Sequence, residues 1–439
     1  MSRQMFSMIP GKGTIKSFHK AAPVGGISVL KAGVIFGANA SGKSNLIKAI
    51  GFGRSMVLGN RKAGEIINYS KFKLDHKCAS LDSRIEYEFR HKGKNFAYGF
   101  VFNKHKIKEE WLYEVTKRKE VKIFERTLDD FDLDYLFKLN KSKEEQQFLK
   151  FTAKGTPENN LFLNEVKQRR LKDNVSNIDE LTTAYDWFLN ALKVVQPDDK
   201  YNIGLRFELK DNKKLLQSFE QFLNYFDTGI DGVCLEPIGM ESIDIPRKAI
   251  EKIGEDLLNS NSEEKTAAIL SNNNTTYFIS VGEEDELLFH KFMTRHINED
   301  EFLFDTSEES DGTNRIIDFI PLLMDLLQGD NVFIIDEMER SLHPNLIYDI
   351  IDLFLEKSHN VNSQIILASH ESSLLTQKLL RKDEIWFVVK DKTGSSTLHS
   401  LEEYNIRFDK QIRKDYLLGR FKAIPKLGNR SKLTVLPNQ

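Results

Sequence analysis

The sequence lacks the features of an exported or membrane-embedded protein. No stretch of its 439 residues approaches the roughly 20 apolar residues of a membrane span, and residues 1–18 lack the apolar core of a secretory signal. The two cysteines, Cys78 and Cys234, form no CxxC pair and lie far apart, so they are interpreted as reduced, mostly buried thiols and not as a zinc site. These absences predict a soluble, cytoplasmic protein with no membrane partner.

The sequence also has almost no excess of charge of either sign. The net charge of −2 provides no global field that would draw the protein to nucleic acid, so such binding would have to be local. Residues 407–432 are rich in lysine and arginine, and two interpretations stay open: a solvated surface, or a surface for nucleic acid or an acidic partner. The 40% hydrophobic and 29% charged residues are typical of a globular protein with two or three domains, or with one large core that carries an insertion.

The patterns that are present divide the chain into three parts. Residues 1–126 hold a short apolar strand and then alternate apolar and polar side chains, which predicts an antiparallel β meander. In residues 127–300 the apolar residues recur at spacings of three and four, which predicts a mainly helical insertion. Residues 301–439 return to buried-strand runs separated by helices, with a hairpin pattern over 384–401. The predicted fold class is therefore α/β, with an N-terminal antiparallel β lobe and an inserted mainly helical domain.

The motif with the clearest chemistry follows the apolar run 32–36. Residues 37–44, GANASGKS, fit the pattern GxxxxGK[ST] and open a helix-compatible run, so strand, loop and helix occur in the required order. Backbone N–H groups of such a loop turn toward phosphate oxygens, its lysine reaches the terminal phosphates and its serine hydroxyl binds Mg²⁺. The predicted nucleotide-binding residues are Gly37, Asn39, Ala40, Ser41, Gly42, Lys43, Ser44 and Asn45.

A second, acidic motif lies far downstream. In NVFIIDEMER, Asp336 and Glu337 end an apolar strand, where α/β folds present ligand-binding groups. Asp336 is predicted to bind Mg²⁺ together with Ser44, and Glu337 is predicted to polarise an attacking water. Between the two motifs, Ser310 and Gly312 open a helical run in a way that suits an anion.

Together these segments resemble a known family. GANASGKSN, ESDGTNR, FIIDEMERSLHP and LASHESSLL are similar in order and spacing to ABC-type ATPases of the SMC, RecF and Rad50 group. The resemblance implies that Ser310 and Gly312, in the segment called the signature, bind the γ-phosphate of ATP held by a second subunit. A homodimer or higher homo-oligomer would then complete the site. The resemblance also implies that residues 341–344 lie at the dimer seam and that His370 contacts the γ-phosphate.

The sequence departs from that family at two places. Asp311 replaces a glycine of the signature, and no glutamine occurs between residues 45 and 126 to form a Q-loop. The residues that the resemblance marks as catalytic are nevertheless present as Lys43, Glu337 and His370. They imply a slow, Mg-dependent ATPase with ATP and Mg²⁺ as cofactors.

A narrower resemblance covers most of the chain. FKLD at 72–75, IKEEWLYEV at 107–115, ESDGT, DEMERSLHP and YLLGRFKAIP at 416–425 look like ATPases of bacterial abortive-infection and anti-phage operons, of the AbiLi-like, PARIS and Septu types. This implies a switch that controls a separately encoded toxic effector, with a nuclease as the expected kind, and that responds to a phage trigger protein or nucleic acid. Two other functions stay open: a RecF- or SMC-like DNA-repair ATPase, and a nucleotide-gated scaffold without turnover.

Overall fold

The computed structural model describes residues 4–128, 130–259, 267–272, 274–296, 302–404 and 411–425. The strands in chain order are β1 (Ala32–Gly37), β2 (Ser83–His91), β3 (Lys94–Phe102), β4 (Ile107–Val115), β5 (Glu120–Thr127), β6 (Asp130–Asp132), β7 (Leu192–Val195), β8 (Ile230–Pro237), β9 (Ala267–Asn272), β10 (Thr275–Val281), β11 (Leu287–His296), β12 (Leu303–Asp305), β13 (Val332–Asp336), β14 (Gln364–Ser369), β15 (Ile385–Lys390) and β16 (Ser396–Ser400). The helices are α1 (Lys43–Leu58), α2 (Asp134–Leu139), α3 (Lys143–Gly155), α4 (Phe162–Gln168), α5 (Leu171–Asn174), α6 (Asp179–Asp186), α7 (Gly204–Glu208), α8 (Lys213–Tyr225), α9 (Arg247–Leu258), α10 (Asp311–Gln328), α11 (Pro344–Lys357) and α12 (Ile412–Leu417). None of the helices in these ranges combines the length and the hydropathy that a bilayer crossing requires.

A six-stranded sheet forms the centre of the first of two compact units, which comprises Met1–Pro197, Gly329–Met338 and Ile351–Gln439. Its strand order is β16-β15-β1-β14-β13-β7, and neighbouring strands run parallel except for β16, which closes one edge antiparallel to β15. Every residue of β1 and of β13 is buried, as expected for parallel strands that are covered on both faces. The register aligns the carboxyl ends of β1, β14 and β13 side by side.

The antiparallel sheet β2-β3-β4-β5-β6 belongs to the same unit and confirms the predicted N-terminal β lobe. Phe89 stacks on Trp187 with ring centroids 4.1 Å apart, and Tyr87 Oη donates a hydrogen bond of 2.7 Å to the carbonyl oxygen of Ile50 in α1. Gly53 of α1 lies so close to Tyr87 that an added Cβ would fall 2.0 Å from Oη. The β lobe is therefore packed directly against α1, and it supports the helix that follows the loop 37–42.

A buried carboxylate attaches the helices after the β lobe to the same unit. Glu110 of β4 accepts hydrogen bonds from the backbone N–H groups of Phe162 (2.7 Å) and Leu163 (3.0 Å) at the start of α4, and from Tyr98 Oη at 2.9 Å. Burial raises the pKa of Glu110, although nearby Arg126 and these donors favour its charged form. Donors at a helix start have no intrahelical partner, so Glu110 satisfies groups that would otherwise be buried unpaired.

The second unit, Asp198–Gln328 and Glu339–Ile350, contains a sheet of its own. Strands β12-β11-β10-β9 are antiparallel neighbours, and β8 also pairs with β11. The α/β class is confirmed, and the described residues of 127–300 contain the helices α2 to α9 together with the strands β6 to β11. The helices α2 to α6 belong to the first unit, and much of the remainder is strand. Six consecutive residues of β10 are buried, so its sequence shows no alternation that would mark it as a strand.

Candidate nucleotide-binding site

The loop between β1 and α1 has a backbone conformation that few side chains tolerate. Ala40 and Gly42 have φ values of 60° and 112°, in the left-handed region. Gly37 has no room for a side chain, because a Cβ would lie 2.5 Å from Ser41 Oγ and 2.9 Å from the carbonyl oxygen of Val388. The first N–H groups of a helix lack intrahelical partners, so the start of α1 presents donors and a partial positive charge to an anion.

Side chains of the first unit hold the carbonyl groups of this loop. The donors are Lys43 Nζ to Gly37 O at 2.9 Å, Lys390 Nζ to Ala40 O at 3.2 Å and Ser396 Oγ to Ser41 O at 2.5 Å. Sequence reasoning missed Lys390 and Ser396. The predicted hairpin over 384–401 contains both, but only the pairing of β15 with β1, which aligns Val388 with Gly37, brings them to the loop.

Lys43 and His370 meet at the carboxyl edge of the sheet, although 327 residues separate them. Lys43 is the first residue of α1 and is only 4% exposed. His370 directly follows β14, the strand next to β1. Lys43 Nζ lies 3.0 Å from His370 Nε2, and because an ammonium group only donates, this ring nitrogen is the acceptor. The geometry thus places a cation and an imidazole together beside the loop.

Asp336 ends β13 at the same edge, and Glu337 follows it directly. Asp336 is 2% exposed, and its Oδ1 has no hydrogen-bond partner among the described residues. A buried acceptor left unsatisfied costs roughly 1–3 kcal/mol, and a cation at this oxygen would remove that cost. Glu337 has a φ of 49°, and its N–H donates to Ala368 O at 3.0 Å. Strained residues of this kind concentrate at functional sites, where the surrounding structure maintains them.

These residues fit a metal that is bound together with phosphates. The described parts of the chain contain no cluster of three or more histidine, cysteine or acidic side chains that could hold a metal ion. Mg²⁺ at nucleotide sites typically takes one or two protein ligands and completes its shell with phosphate oxygens and water. Asp336 and the hydroxyl of Ser44, the second residue of α1, are of the right kind and number for such a site.

A cavity of about 330 Å³ lies beside the loop. Its polar side is formed by residues 37–39, His370 and Ser372, and its apolar side by Tyr416, Leu417, Ile424 and Pro425. The apolar side is anchored to the sheet, because Tyr416 and Phe421 stack on Phe387 with centroid distances of 5.9 and 4.6 Å. The YLLGRFKAIP segment is therefore part of this site. Of the basic segment 407–432, residues 407–410 and 426–432 lie outside the described residues.

The signature belongs to the second unit. Ser310 is exposed, and its Oγ accepts a hydrogen bond of 3.1 Å from the N–H of Thr313 at the start of α10. Gly312 faces the carbonyl oxygen of Ser341, which a Cβ would approach to 3.0 Å, so the signature lies against the segment 341–344. Asp311 stands in the first turn of α10, where a carboxylate stabilises the helix.

Three solved structures of SMC heads are similar to the chain at low sequence identity. The Smc head bound to the C-terminal winged-helix domain of ScpA is 14% identical over 85% of this chain and 91% of that chain, with a TM-score of 0.30. The SMC head domain from Thermotoga maritima is 12% identical over 84% and 89%, with a TM-score of 0.32. The Smc head with an extended coiled coil from Pyrococcus furiosus, bound to the C-terminal domain of ScpA, is 13% identical over 90% and 95%, with a TM-score of 0.29. A comparison with curated proteins finds no match.

The family comparison covers most of the sequence. A family model described as "AAA domain, putative AbiEii toxin, Type IV TA system" matches residues 34–376. The matched segment contains the loop 37–44, the signature, the end of β13 and His370. A match over well more than half of the sequence establishes membership, and the chain therefore belongs to this family of P-loop AAA domains.

Proposed function

We propose that the protein is an ATP-hydrolysing switch whose active site is completed by a second copy of the chain. The observation that carries the proposal is the approach of Lys43 Nζ to His370 Nε2, 3.0 Å, at the sheet edge where the buried Asp336 ends β13. Phosphate binding alone requires only the loop. A histidine and two consecutive carboxylates at the same edge add the groups that hydrolysis needs.

Each residue receives a distinct task in this proposal. Lys43 and the loop N–H groups bind the phosphates, and Ser44 and Asp336 would hold Mg²⁺, which would supply positive charge beside the phosphate oxygens. Glu337 orients the attacking water and accepts its proton as the water oxygen bonds to the γ-phosphorus, while the bond from that phosphorus to the bridging oxygen breaks and ADP and inorganic phosphate leave. His370 donates to the γ-phosphate and so stabilises its developing charge.

The signature acts on the nucleotide held by the other copy. Ser310 and Gly312 stand at the N-terminus of α10, a helix of 18 residues, and the exposed Ser310 is open to a second chain. A helix N-terminus with a serine hydroxyl suits a phosphate group. Two identical chains related by a twofold axis would form two such sites at once.

Mixing two inactive variants tests this composite site. Lys43→Ala loses the phosphate cradle and Ser310→Ala loses the signature hydroxyl, so each protein alone should hydrolyse ATP poorly. In an equimolar mixture, heterodimers contain one intact site, and we expect roughly a quarter of the wild-type rate. Mixing each variant with itself is the matched control. Full activity of Ser310→Ala alone, or no recovery in the mixture, would contradict a shared site.

The finer proposal is that this switch controls a separately encoded toxic effector in defence against phage, with a nuclease as the expected kind. The family description, which names a toxin and a type IV toxin–antitoxin system, supports it, as do the ESDGT and YLLGRFKAIP segments. We expect phages to form fewer plaques on bacteria that carry this gene and its neighbouring gene than on bacteria without them. This protection should be lost with Lys43→Ala. Equal plaque counts with and without the gene pair, across a broad phage panel, would reject the defence role.

A further inference from the structure

The turn that leads into the signature is bound to the sheet of the second unit. Asp305, the last residue of β12, accepts a hydrogen bond of 2.7 Å from Thr275 Oγ1 and forms an ion pair with Lys291. Burial opposes ionisation, but the bonds from Lys291, Ser307 and Thr275 lower the pKa of Asp305 overall. Thr306 is fully buried and donates to Asn274 O at 2.8 Å. The approach to the signature is therefore tied to β10 and β11.

Glu309, the residue before Ser310, makes the last of these attachments. Its side chain is only 7% exposed, and Oε1 accepts hydrogen bonds from Thr294 Oγ1 at 2.6 Å and from His296 Nε2 at 2.7 Å. Both donors stand on β11, and because they reach one carboxylate oxygen they face the same side of the strand, although its pairing with β8 is irregular between Arg295 and His296. A carboxylate oxygen that accepts two short bonds from one rigid strand has little freedom to move.

Hydrogen bonds carry this constraint from Glu309 into the signature. Asn314 Nδ2 donates to Glu309 O at 3.3 Å and to Thr306 O at 2.7 Å, and the Asn314 N–H donates to Ser310 O at 2.9 Å. Ser310 Oγ in turn accepts from the N–H of Thr313. The position of the Ser310 hydroxyl is thus set from both sides, by the first turn of α10 and by the Glu309 carboxylate.

We propose that Glu309 is a positioning residue for the signature, and that it couples β11 to ATP hydrolysis. It would hold Ser310 and Gly312 in the geometry that the phosphate of a second copy requires. The inference rests on the proposed composite site. Because β11 pairs with β8, β10 and β12, a shift of this sheet would reach the signature through the bonds of Thr294 and His296 to one carboxylate oxygen.

Glu309→Ala in the full-length chain tests the coupling. We expect kcat for ATP to fall about 10- to 100-fold, as misplacement of a reacting group by roughly 1 Å does. The affinity for a fluorescent ATP analogue should change less than about twofold, because the phosphate loop belongs to the first unit. Glu309→Gln keeps the Oε1 acceptor and should retain most activity. Glu308→Gln is the matched control for Glu309→Gln, since the exposed Glu308 side chain accepts a hydrogen bond from the Asp305 N–H and the amide of glutamine can accept it too.

A double-mutant cycle separates positioning from general destabilisation. If Glu309 acts through Ser310, adding Glu309→Ala to Ser310→Ala should lower kcat by less than about twofold further. ATP-dependent dimerisation in a Glu337→Gln background gives a second readout, and Glu309→Ala should weaken it. Independent, multiplicative effects on kcat, or unaltered kcat and dimerisation in Glu309→Ala, would overturn the inference. Unaltered turnover in Ser310→Ala would instead overturn the composite site itself.

Discussion

Lys43→Ala is expected to lower the rate of ATP hydrolysis roughly 10²- to 10³-fold, the scale of removing one preorganised charge donor. Lys43 Nζ is held by Gly37 O and by His370 Nε2, and the side chain is almost fully buried. The cation is therefore already in place beside the loop before any phosphate arrives. Its loss should remove charge stabilisation and also the hydrogen bond to His370 Nε2. Steady-state phosphate release by the purified full-length chain measures the effect.

Lys48→Ala is the matched control for this substitution. Lys48 is on the same helix, α1, but it is exposed and lies four residues beyond the motif 37–44. The same change of charge and size there should leave hydrolysis within about twofold of wild type, since exposed substitutions away from a site have small effects. Normal hydrolysis by Lys43→Ala would contradict the entire catalytic scheme, including the tasks proposed for Asp336 and Glu337.

Local patterns in the sequence predict those parts of the fold that depend on neighbouring residues. The strand, loop and helix around residues 37–44 follow from a contiguous motif, and β1 ends at Gly37 while α1 begins at Lys43. The β meander follows from alternation, because β2 and β3 each bury one face more than the other. In both cases the chemical preference and the structure lie in the same few residues.

Contacts between distant segments could not be predicted in this way. Lys390 and Ser396 reach the loop only because β15 pairs with β1, and nothing in their local sequence encodes that pairing. Glu309 gains its importance from Thr294 and His296, which lie on a strand in a region whose apolar spacing suggested helix. Residues 179–195, which lie in the same region of three- and four-residue apolar spacing, span α6, a π-helical turn and β7, where buried residues follow each other without a single period.

Glu337→Gln is expected to lower hydrolysis by roughly 10²- to 10³-fold while ATP still binds, because an amide cannot accept the proton of the attacking water. The substitution keeps the size of the side chain, and the N–H bond to Ala368 O holds the backbone at its φ of 49°. ATP should therefore remain trapped between two copies, and the dimer should last longer than that of wild type. Sedimentation velocity with ATP, together with single-turnover hydrolysis, measures both effects.

Glu356→Gln controls for the change of charge. Glu356 is 70% exposed near the end of α11, so this substitution should leave both measurements unchanged.

The three functions that the sequence leaves open give different results in this experiment. A switch predicts lost turnover and a longer-lived dimer in Glu337→Gln. A nucleotide-gated scaffold predicts dimers of equal lifetime in both proteins, because wild type would not hydrolyse the ATP that holds them. A DNA-repair ATPase predicts that duplex DNA stabilises the ATP-bound dimer, which the net charge of −2 gives no reason to expect. Unchanged turnover in Glu337→Gln would show that another group accepts the proton.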